Sequence, residues 1–436
     1  MLNVTRYCTR TVTRCTFGKP QHVNRSLFAT VPRKPVTNNS FTFLHRVPSQ
    51  LGKIQALFRQ TGTIAVSYAS KVSAKSDKIV GSWMLTCSGM VFIAVVLGGV
   101  TRLTESGLSM VTWKLLGEKM PRTEAQWIEE FERYQQFPEF QILNKHMTLE
   151  EFKRIWWMEY LHRTWGRLIG GVFIVPAAIF WAKGMLKPGM KIRVLSLGAL
   201  IGLQGLMGWY MVKSGLEDRF DGPSDVPRVS QYRLAAHLGL ALTIYTGFLY
   251  NALDHLIPAE NVVKNYFSSQ PMQNTITKGL RKIRMLVHSS KGLIFLTAMS
   301  GAFVAGIDAG LIYNTFPKMA NKWIPDDILA LSPVLLNFTE NPTTVQFDHR
   351  ILGISTLTLI TVMAMMSRKY RLPGRGSTAV TAVVCAGYLQ VLLGISTLLN
   401  QVPLALAASH QAGSLLLLSA ITWLCHELKH LRNLPK

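Results

Sequence analysis

Acidic side chains are almost missing from the start of this chain. Its first 78 residues contain 13 lysines and arginines but one acid, Asp77, and no run apolar enough for a secretory signal. A beginning that is rich in arginine and serine and poor in acids is typical of a mitochondrial transit peptide. A basic arm that binds nucleic acid is the alternative, but long apolar segments follow, so we expect no nucleic-acid partner.

Charge is scarce in the whole chain, because charged residues make up 16% of its 436 residues and collect between long apolar segments. Eight of these segments are long enough to span a bilayer, which takes about 20 residues. Backbone groups in lipid must pair within the protein, which demands helices, and the lack of apolar–polar alternation argues against barrel strands. We therefore predict an all-α membrane protein with eight transmembrane helices. The predicted spans are residues 79–100, 156–182, 194–212, 232–253, 285–307, 347–366, 377–399 and 404–425.

Cysteine is also scarce, and no two cysteines have the C-x-x-C spacing. The sequence therefore predicts neither a zinc site nor a disulfide framework. The five cysteines are Cys8, Cys15, Cys87, Cys385 and Cys425.

The segments between the predicted spans differ in charge between the two sides of the membrane. With an even number of spans, residues 183–193, 254–284, 367–376 and 426–436 share one side and contain 16 lysines and arginines against 3 acids. The connections on the other side contain 13 against 17. Because basic connections are retained during insertion, we predict a protein of the mitochondrial inner membrane with both termini in the matrix.

Four histidines lie near the starts of even-numbered spans, and they form two matched pairs. His162 and His349 each begin the string H-R-x-x-G, whereas His237 and His410 each follow two small residues on a later span. An imidazole buried in a membrane is costly without a partner, so such a residue is a functional candidate by default. Two repeated pairs make bis-histidine ligation of a metal or haem the leading hypothesis.

The two halves of the membrane part resemble each other. The string L-Q-x-L-x-G begins at Leu203 and recurs at Leu389, with nearly the same offset as the two H-R-x-x-G strings. The simplest architecture is two pseudo-symmetric four-helix bundles, each with a histidine pair in its core, and small residues on the helices permit self-association. The predicted regions are a transit peptide with a matrix segment (1–78), a first bundle (79–253), a matrix linker (254–284), a second bundle (285–425) and a matrix tail (426–436).

Glu159 lies three residues before His162, so both project from one face of a helix. Its carboxylate can accept a proton, orient a water or hydrogen-bond the other imidazole nitrogen. An interfacial acid favoured by the helix dipole is the structural alternative. The second half has Val345 and Gln346 at this place and no acid, so we expect the chemistry in the first half.

Arg163 and Arg350 each follow a histidine and repeat between the halves. A guanidinium fork suits the carboxylates of haem propionates, and snorkelling toward water is the alternative. We expect the other seven histidines to be surface or interfacial residues. They are His22, His45, His146, His255, His288, His426 and His430.

Five strings in a fixed order are more distinctive than any single residue. They are residues 98–109, 159–163, 301–310, 313–319 and 346–350. They resemble the signature motifs of the haem A synthase family in its mitochondrial form, and the resemblance extends over residues 79–425. Bacterial members often carry a cysteine pair in the first outer loop, and residues 101–155 contain no cysteine.

The resemblance implies an oxidoreductase that converts the C8 methyl group of haem O to a formyl group, making haem A for cytochrome c oxidase. It implies that His349 and His410 bind the iron of a haem b cofactor, that His162 and His237 flank the iron of the substrate haem, and that Glu159 is catalytic. The expected partners are haem O, inner-membrane lipid, haem O synthase and a matrix electron-transfer protein.

Two other functions also explain four histidines. A two-haem electron carrier of the membrane accounts for both pairs but not for Glu159 or the five strings. A non-catalytic haem-handling assembly factor for the oxidase predicts weakly bound haem in both halves and no formyl product.

Overall fold

The computed structural model describes residues 49–217, 227–259, 274–372 and 374–434, with the backbone alone for residues 49–74. Contacts between α-carbons divide the chain into Met1–Ile64 and Ala65–Lys436. The first unit contributes only the start of one helix to the described residues. Most of the predicted transit peptide, up to residue 48, lies outside them.

All regular secondary structure in the described residues is helical, which confirms the predicted all-α class. Short 3-10 turns lie at Ala309–Leu311, Val334–Leu336 and Lys429–Asn433. The α-helices are α1 (Ser49–Leu103), α2 (Glu124–Gln135), α3 (Pro138–Ile142), α4 (Leu149–Ala182), α5 (Pro188–Gly215), α6 (Gln231–Leu256), α7 (Asn274–Gly306), α8 (Asn337–Glu340), α9 (Pro342–Lys369), α10 (Gly374–Leu399) and α11 (Leu404–Glu427).

Six helices in the described part of the chain are long and apolar enough to cross a membrane. They are the segment Lys75–Leu103 of α1 together with α4, α5, α9, α10 and α11. The other two predicted spans, residues 232–253 and 285–307, coincide with α6 and α7, which are helical but less apolar. The first turns of α7 precede the predicted span and are basic. The basic residues there are Lys278, Arg281, Lys282 and Arg284.

Helix α4 begins well before residue 156, where the predicted span starts. The cause is a capping box: the Thr148 hydroxyl accepts from the backbone N–H of Glu151, and the Glu151 carboxylate accepts from the backbone N–H of Thr148. Such reciprocal bonds satisfy two N–H groups that a helix start leaves unpaired. A search for apolar runs does not detect this signal, because its residues are polar.

The connection between α1 and α4 forms a small folded layer of its own. Its core contains Met110, Tyr134, Phe152 and Trp156, all fully or almost fully buried. The Trp127 ring of α2 packs edge-on against Trp156 of α4, with centroids 5.0 Å apart. Aromatic packing therefore fixes this layer on the beginning of the helix that carries His162.

The larger core extends through both halves as one continuous cluster. In the first half α1 meets α4, where Trp83 and Trp165 donate to backbone carbonyls across the helix pair. In the second half α7, α9, α10 and α11 contact one another in a closed ring, and α6 contacts α7 and α11. Between the halves, Arg102 and Arg228 each lie 3.0 Å from a carboxylate oxygen of Asp308.

One histidine differs from its predicted position. The prediction of a surface or interfacial position for His426 is wrong, because the residue is fully buried in the last turn of α11. Its ring packs edge-on against Tyr250 of α6. The predicted matrix tail begins within α11, which ends at Glu427, and the predicted matrix linker begins within α6, which ends at Leu256.

Candidate functional site

Each of the four histidines lies against a glycine of the preceding long helix. His162, His237, His349 and His410 lie on α4, α6, α9 and α11. A Cβ atom added to the facing glycine would come nearest to the imidazole Cε1 in all four cases. The pairs and distances are Gly98–His162, 2.9 Å; Gly208–His237, 3.3 Å; Gly301–His349, 3.4 Å; and Gly394–His410, 2.7 Å. Small residues therefore make room for each ring within the helix packing.

The second-half pair has the separation that ligation of one metal by two imidazoles requires. The ring centroids of His349 and His410 are 6.4 Å apart, and the ring planes meet at 88°. A metal–imidazole bond is about 2 Å long. A metal between two such rings would therefore separate their centroids by about 6 Å.

Both second-half imidazoles have a polar partner at Nδ1. The Ser300 hydroxyl oxygen lies 2.7 Å from His349 Nδ1. The Gln390 amide nitrogen lies 3.1 Å from His410 Nδ1 and donates to the backbone carbonyl of His410 at 2.8 Å. Histidines that bind metals through one nitrogen are usually held in this way at the other. The Ser300 hydroxyl can accept from Nδ1 of His349 and so leave Nε2 of that ring for a ligand, whereas the amide that donates to Nδ1 of His410 places that ring's proton on Nε2.

The first-half pair is built on the same plan but differs at the ring nitrogens. Gln204 donates to the backbone carbonyl of His237 at 3.1 Å, as Gln390 does to that of His410, but its amide lies 3.3 Å from His237 Nε2. Nδ1 of His162 and of His237 is buried without a hydrogen-bond partner among the described residues.

Glu159 is buried and bonds the segment 109–112 that follows α1. Its Oε2 accepts from the Ser109 hydroxyl and from the backbone N–H of Met110, each at 2.7 Å. Its Oε1 pairs with Arg163, which also donates to the carbonyls of Met110 and Thr112. Glu159 and Arg163 together therefore hold this segment beside the helix face that carries His162, while no hydrogen bond joins Glu159 to His162 Nδ1 in the described structure.

Arg350 has free hydrogen-bonding capacity for an anion. Its Nη2 donates to the Tyr313 carbonyl at 2.9 Å, whereas its Nε and Nη1 are buried without a partner in the part of the chain that the structure describes. Buried donors without an acceptor are unfavourable, which favours an anionic ligand there. Arg163, in contrast, already donates to protein groups through both terminal nitrogens.

Comparison with known proteins gives a consistent result. The family model of the cytochrome oxidase assembly protein family COX15-CtaA matches residues 81–422. Heme A synthase COX15 of Homo sapiens is 54% identical over 390 residues, which cover 89% of this chain and 90% of that protein.

The chain belongs to the haem A synthase family. Heme A synthase COX15 of Arabidopsis thaliana is 42% identical over 420 residues, covering 92% of this chain and 88% of that protein. Heme A synthase of the bacterium Nitrosospira multiformis is 43% identical over 373 residues, covering 85% of this chain and 99% of that protein. The similarity to these haem A synthases thus extends over nearly the whole described membrane part.

Sequence reasoning overlooked one site residue in this haem A synthase family member. Gln346 donates to the Ala309 carbonyl at 2.8 Å and accepts from Arg350 at 2.9 Å. It holds the chain after α7 much as Glu159 holds the chain after α1. The signal was available, since Glu159 and Gln346 both lie three residues before an H-R-x-x-G string.

The outer layer carries a second buried acid, Glu139 on α3. Burial raises the pKa of its carboxyl to about 8, although the Tyr134 hydroxyl donates to it at 2.9 Å. Burial also raises the pKa of Tyr134 above its ordinary value. Both side chains are therefore largely uncharged at pH 7. They belong to the folded layer that packs on the beginning of α4.

Proposed function

We propose that this protein is a haem A synthase, an oxidoreductase that converts the C8 methyl group of haem O to a formyl group through a hydroxymethyl stage. Membership of the family supports this reaction. The single observation that carries it within the structure is the presence of two glycine-backed histidine pairs of one plan that differ at Nδ1. Two unlike sites suit a protein that keeps one haem and processes another.

The proposed architecture has eight spans in two four-helix units, within residues 79–253 and 285–425. Helices α6 and α7 contain 26 and 33 residues, more than the about 20 that a span requires. Each packs against spanning helices, α6 against α5 and α11, and α7 against α9 and α11. We further propose the mitochondrial inner membrane with both termini in the matrix, as the charges of the connections indicate.

The second half is proposed to hold haem b as a resident cofactor, which supplies one-electron transfer when it is bound. The residues present fit this group, because the ring centroids of His349 and His410 lie at a separation at which both imidazoles would hold one iron. Buried Nε and Nη1 of Arg350 offer donors to a propionate. Arg163 would act in the first half instead, where it holds the 109–112 segment in place.

The first half is proposed to bind haem O as substrate between His162 and His237. Glu159 offers a carboxylate one helical turn from His162, with its charge balanced by Arg163. In this proposal it takes up a proton that methyl oxidation releases, and it keeps the 109–112 segment closed over the helix face. A matrix electron-transfer protein and haem O synthase are the proposed partners.

The test is haem extraction from the purified full-length protein, followed by chromatographic separation of the haems. We expect haem b together with haem O and its hydroxymethyl and formyl derivatives, and loss of the formyl product in Glu159→Ala. The control is Glu150→Ala, at an exposed glutamate near the start of the same helix. Haem b alone, unchanged by the Glu159 variant, would instead support a two-haem electron carrier.

A further inference from the structure

We propose that a cleft between α9 and α10, at the turn that joins them, binds an anionic phospholipid of the matrix leaflet. Its phosphate lies on Arg368 and Arg371, and its acyl chains follow the two helices into the membrane. This inference rests on the eight-span architecture of the proposed function, which places the turn at the matrix surface. It is independent of the proposed haem chemistry.

The cleft is a cavity of about 390 Å³ between one face of each helix. Small-ligand pockets have volumes of about 300–1,000 Å³. Its lining residues recur at intervals of three, four and seven, which places them on one face of a helix. They include Ala364, Arg368 and Arg371 on one side and Ser377, Val380 and Val384 on the other. One turn deeper the helices touch, since a Cβ at Gly387 would lie 3.2 Å from Ile360 Cδ1, and the cavity ends there.

The cavity changes from apolar to basic along its length. Ala364, Val380 and Val384 lie within the predicted spans and form its deep part. Arg368 and Arg371 lie beyond the span 347–366, in the connection predicted to face the matrix. A phospholipid has the same order, with a charged headgroup at the surface and chains below. Basic pockets between membrane helices on the matrix side are typical sites for anionic lipid headgroups.

Both arginines are available for an anion. Their side chains are exposed, and neither has an ion pair or a hydrogen bond in the part of the chain that the structure describes. Arg375 of the same connection differs, because it lies 3.3 Å from the buried carboxylate of Glu427. No acid is present in residues 367–376 to neutralise the pair. Two guanidinium groups beside one cavity therefore suit a phosphate, which they bind through paired N–H donors.

The turn that carries Arg371 is fixed by its own backbone. The N–H of Leu372 donates to the Ser367 carbonyl at 3.0 Å, and that of Arg371 to the Arg368 carbonyl at 3.1 Å. These are the two bonds of a Schellman motif, in which the left-handed residue is usually glycine. Here it is Arg371, with φ of +46°. An arginine at a position where glycine would be less strained agrees with a task for its side chain.

The experiment titrates the full-length protein in detergent with phosphatidylglycerol, or with phosphatidylcholine of the same acyl chains, and counts bound lipids by native mass spectrometry. We expect phosphatidylglycerol to bind more tightly. Arg368→Ala and Arg371→Gly should each weaken its binding about fivefold, the usual contribution of one basic side chain near an anionic lipid. The matched control is Lys369→Ala, which removes a charge from the same turn. The Lys369 ammonium lies over the Tyr370 ring and outside the cavity, so this variant should bind as the wild type does.

Arg371→Gly separates binding from folding, because glycine adopts a positive φ without strain. Without lipid, this variant should unfold at the same temperature as the wild type or at a higher one, while its affinity for phosphatidylglycerol falls. Equal binding of the two lipids, or equal weakening by Lys369→Ala, would overturn the inference. Inorganic phosphate that binds as tightly as the lipid would also overturn it, since the cleft would then be a site for a soluble anion.

Haem content, measured on the same preparations, keeps the two proposals apart. A protein that prefers phosphatidylglycerol through these arginines but binds no haem would contradict the proposed function alone. Normal haem content without that preference would contradict this inference alone.

Discussion

Gln346 has the same relationship to His349 that Glu159 has to His162, and each pairs with an arginine one turn further along its helix. The two halves thus keep one hydrogen-bonding frame and differ in its charge. In the first half the frame contains a buried carboxylate, and in the second a neutral amide. Glu159→Gln therefore gives the first half the amide that the second half has at the corresponding position.

We expect Glu159→Gln to bind haem O with a loss of stability. The amide oxygen can still accept from Arg163, near which Glu118 lies at 3.8 Å, but the amide nitrogen cannot accept from the backbone N–H of Met110. Formation of haem A should fall by about 100-fold or more, the usual contribution of a group that transfers protons. Product analysis and haem content measured on the same preparation check this. If the variant formed as much haem A as the wild type, Glu159 would be a purely structural residue. Gln346→Glu should not create activity in the second half.

Arg163→Ala should destabilise the protein strongly. It leaves the Glu159 carboxylate buried without its counter-ion, and breaking such a pair costs about 3–5 kcal/mol. The 109–112 segment should then exchange its amide hydrogens faster, since Met110 and Thr112 lose the donor at their carbonyls. Hydrogen exchange and denaturant unfolding measure the two effects.

The control for that variant is Arg133→Ala. Arg133 pairs with Glu129 and Glu130 on the exposed side of α2, and surface pairs contribute at most about 1 kcal/mol. Equal destabilisation by the two substitutions would contradict the importance assigned to the buried pair.

Gly394→Ala should release haem from the second half. The new Cβ would lie 2.7 Å from His410 Cε1, so the ring has to move. Gly301→Ala, with 3.4 Å to His349 Cε1, should have a smaller effect. At Gly353 a Cβ meets nothing within 4 Å, and alanine there should stabilise the helix by about 0.5–1 kcal/mol. Haem content per chain distinguishes the three, and equal loss in all would refute the packing argument.

Glu139 should make the outer layer sensitive to pH. Its pKa is about 8 when the layer is folded and 4.5 as an ordinary carboxyl, so folding favours the protonated form. This contribution to stability is complete below pH 4.5, declines as the pH rises, and is lost above pH 8. The opening equilibrium should increase about tenfold per pH unit within this window.

Hydrogen exchange of residues 124–142, corrected for the intrinsic pH dependence of exchange, measures that opening. Glu139→Gln should remove the slope, because the amide does not titrate and still accepts from the Tyr134 hydroxyl. A slope that persists in this variant would assign the pH dependence to another group.

The sequence was sufficient for the helices and for the closeness of His349 and His410, because apolar length and repeated strings are local signals. The L-Q-x-L-x-G repeat even contained both Gln204 and Gln390. It could not reveal that their amides face different nitrogens of His237 and His410, since this depends on side-chain rotamers within the packed helices. The role of Gly98 and Gly394 likewise becomes visible only when a ring lies against them.

Other features depended on contacts distant in sequence. His426 is near basic residues in the chain, which suggested a surface position, but Tyr250 of α6 covers it. Gln346 appeared only as a missing acid until its bonds to Ala309 and Arg350 were seen. The folded layer before α4 depends on aromatic packing and a polar capping box, neither of which an apolar-run search detects.

The shared core has a consequence for how this protein can change over generations. Gln411, next to His410, donates to the Val95 carbonyl of α1 at 3.0 Å, and α1 also provides the glycine behind His162. A substitution that moves α1 at one histidine pair therefore also affects the packing at the other. The two repeats differ in charge at Glu159 and Gln346, while one continuous core and the bond from α11 to α1 couple their packing.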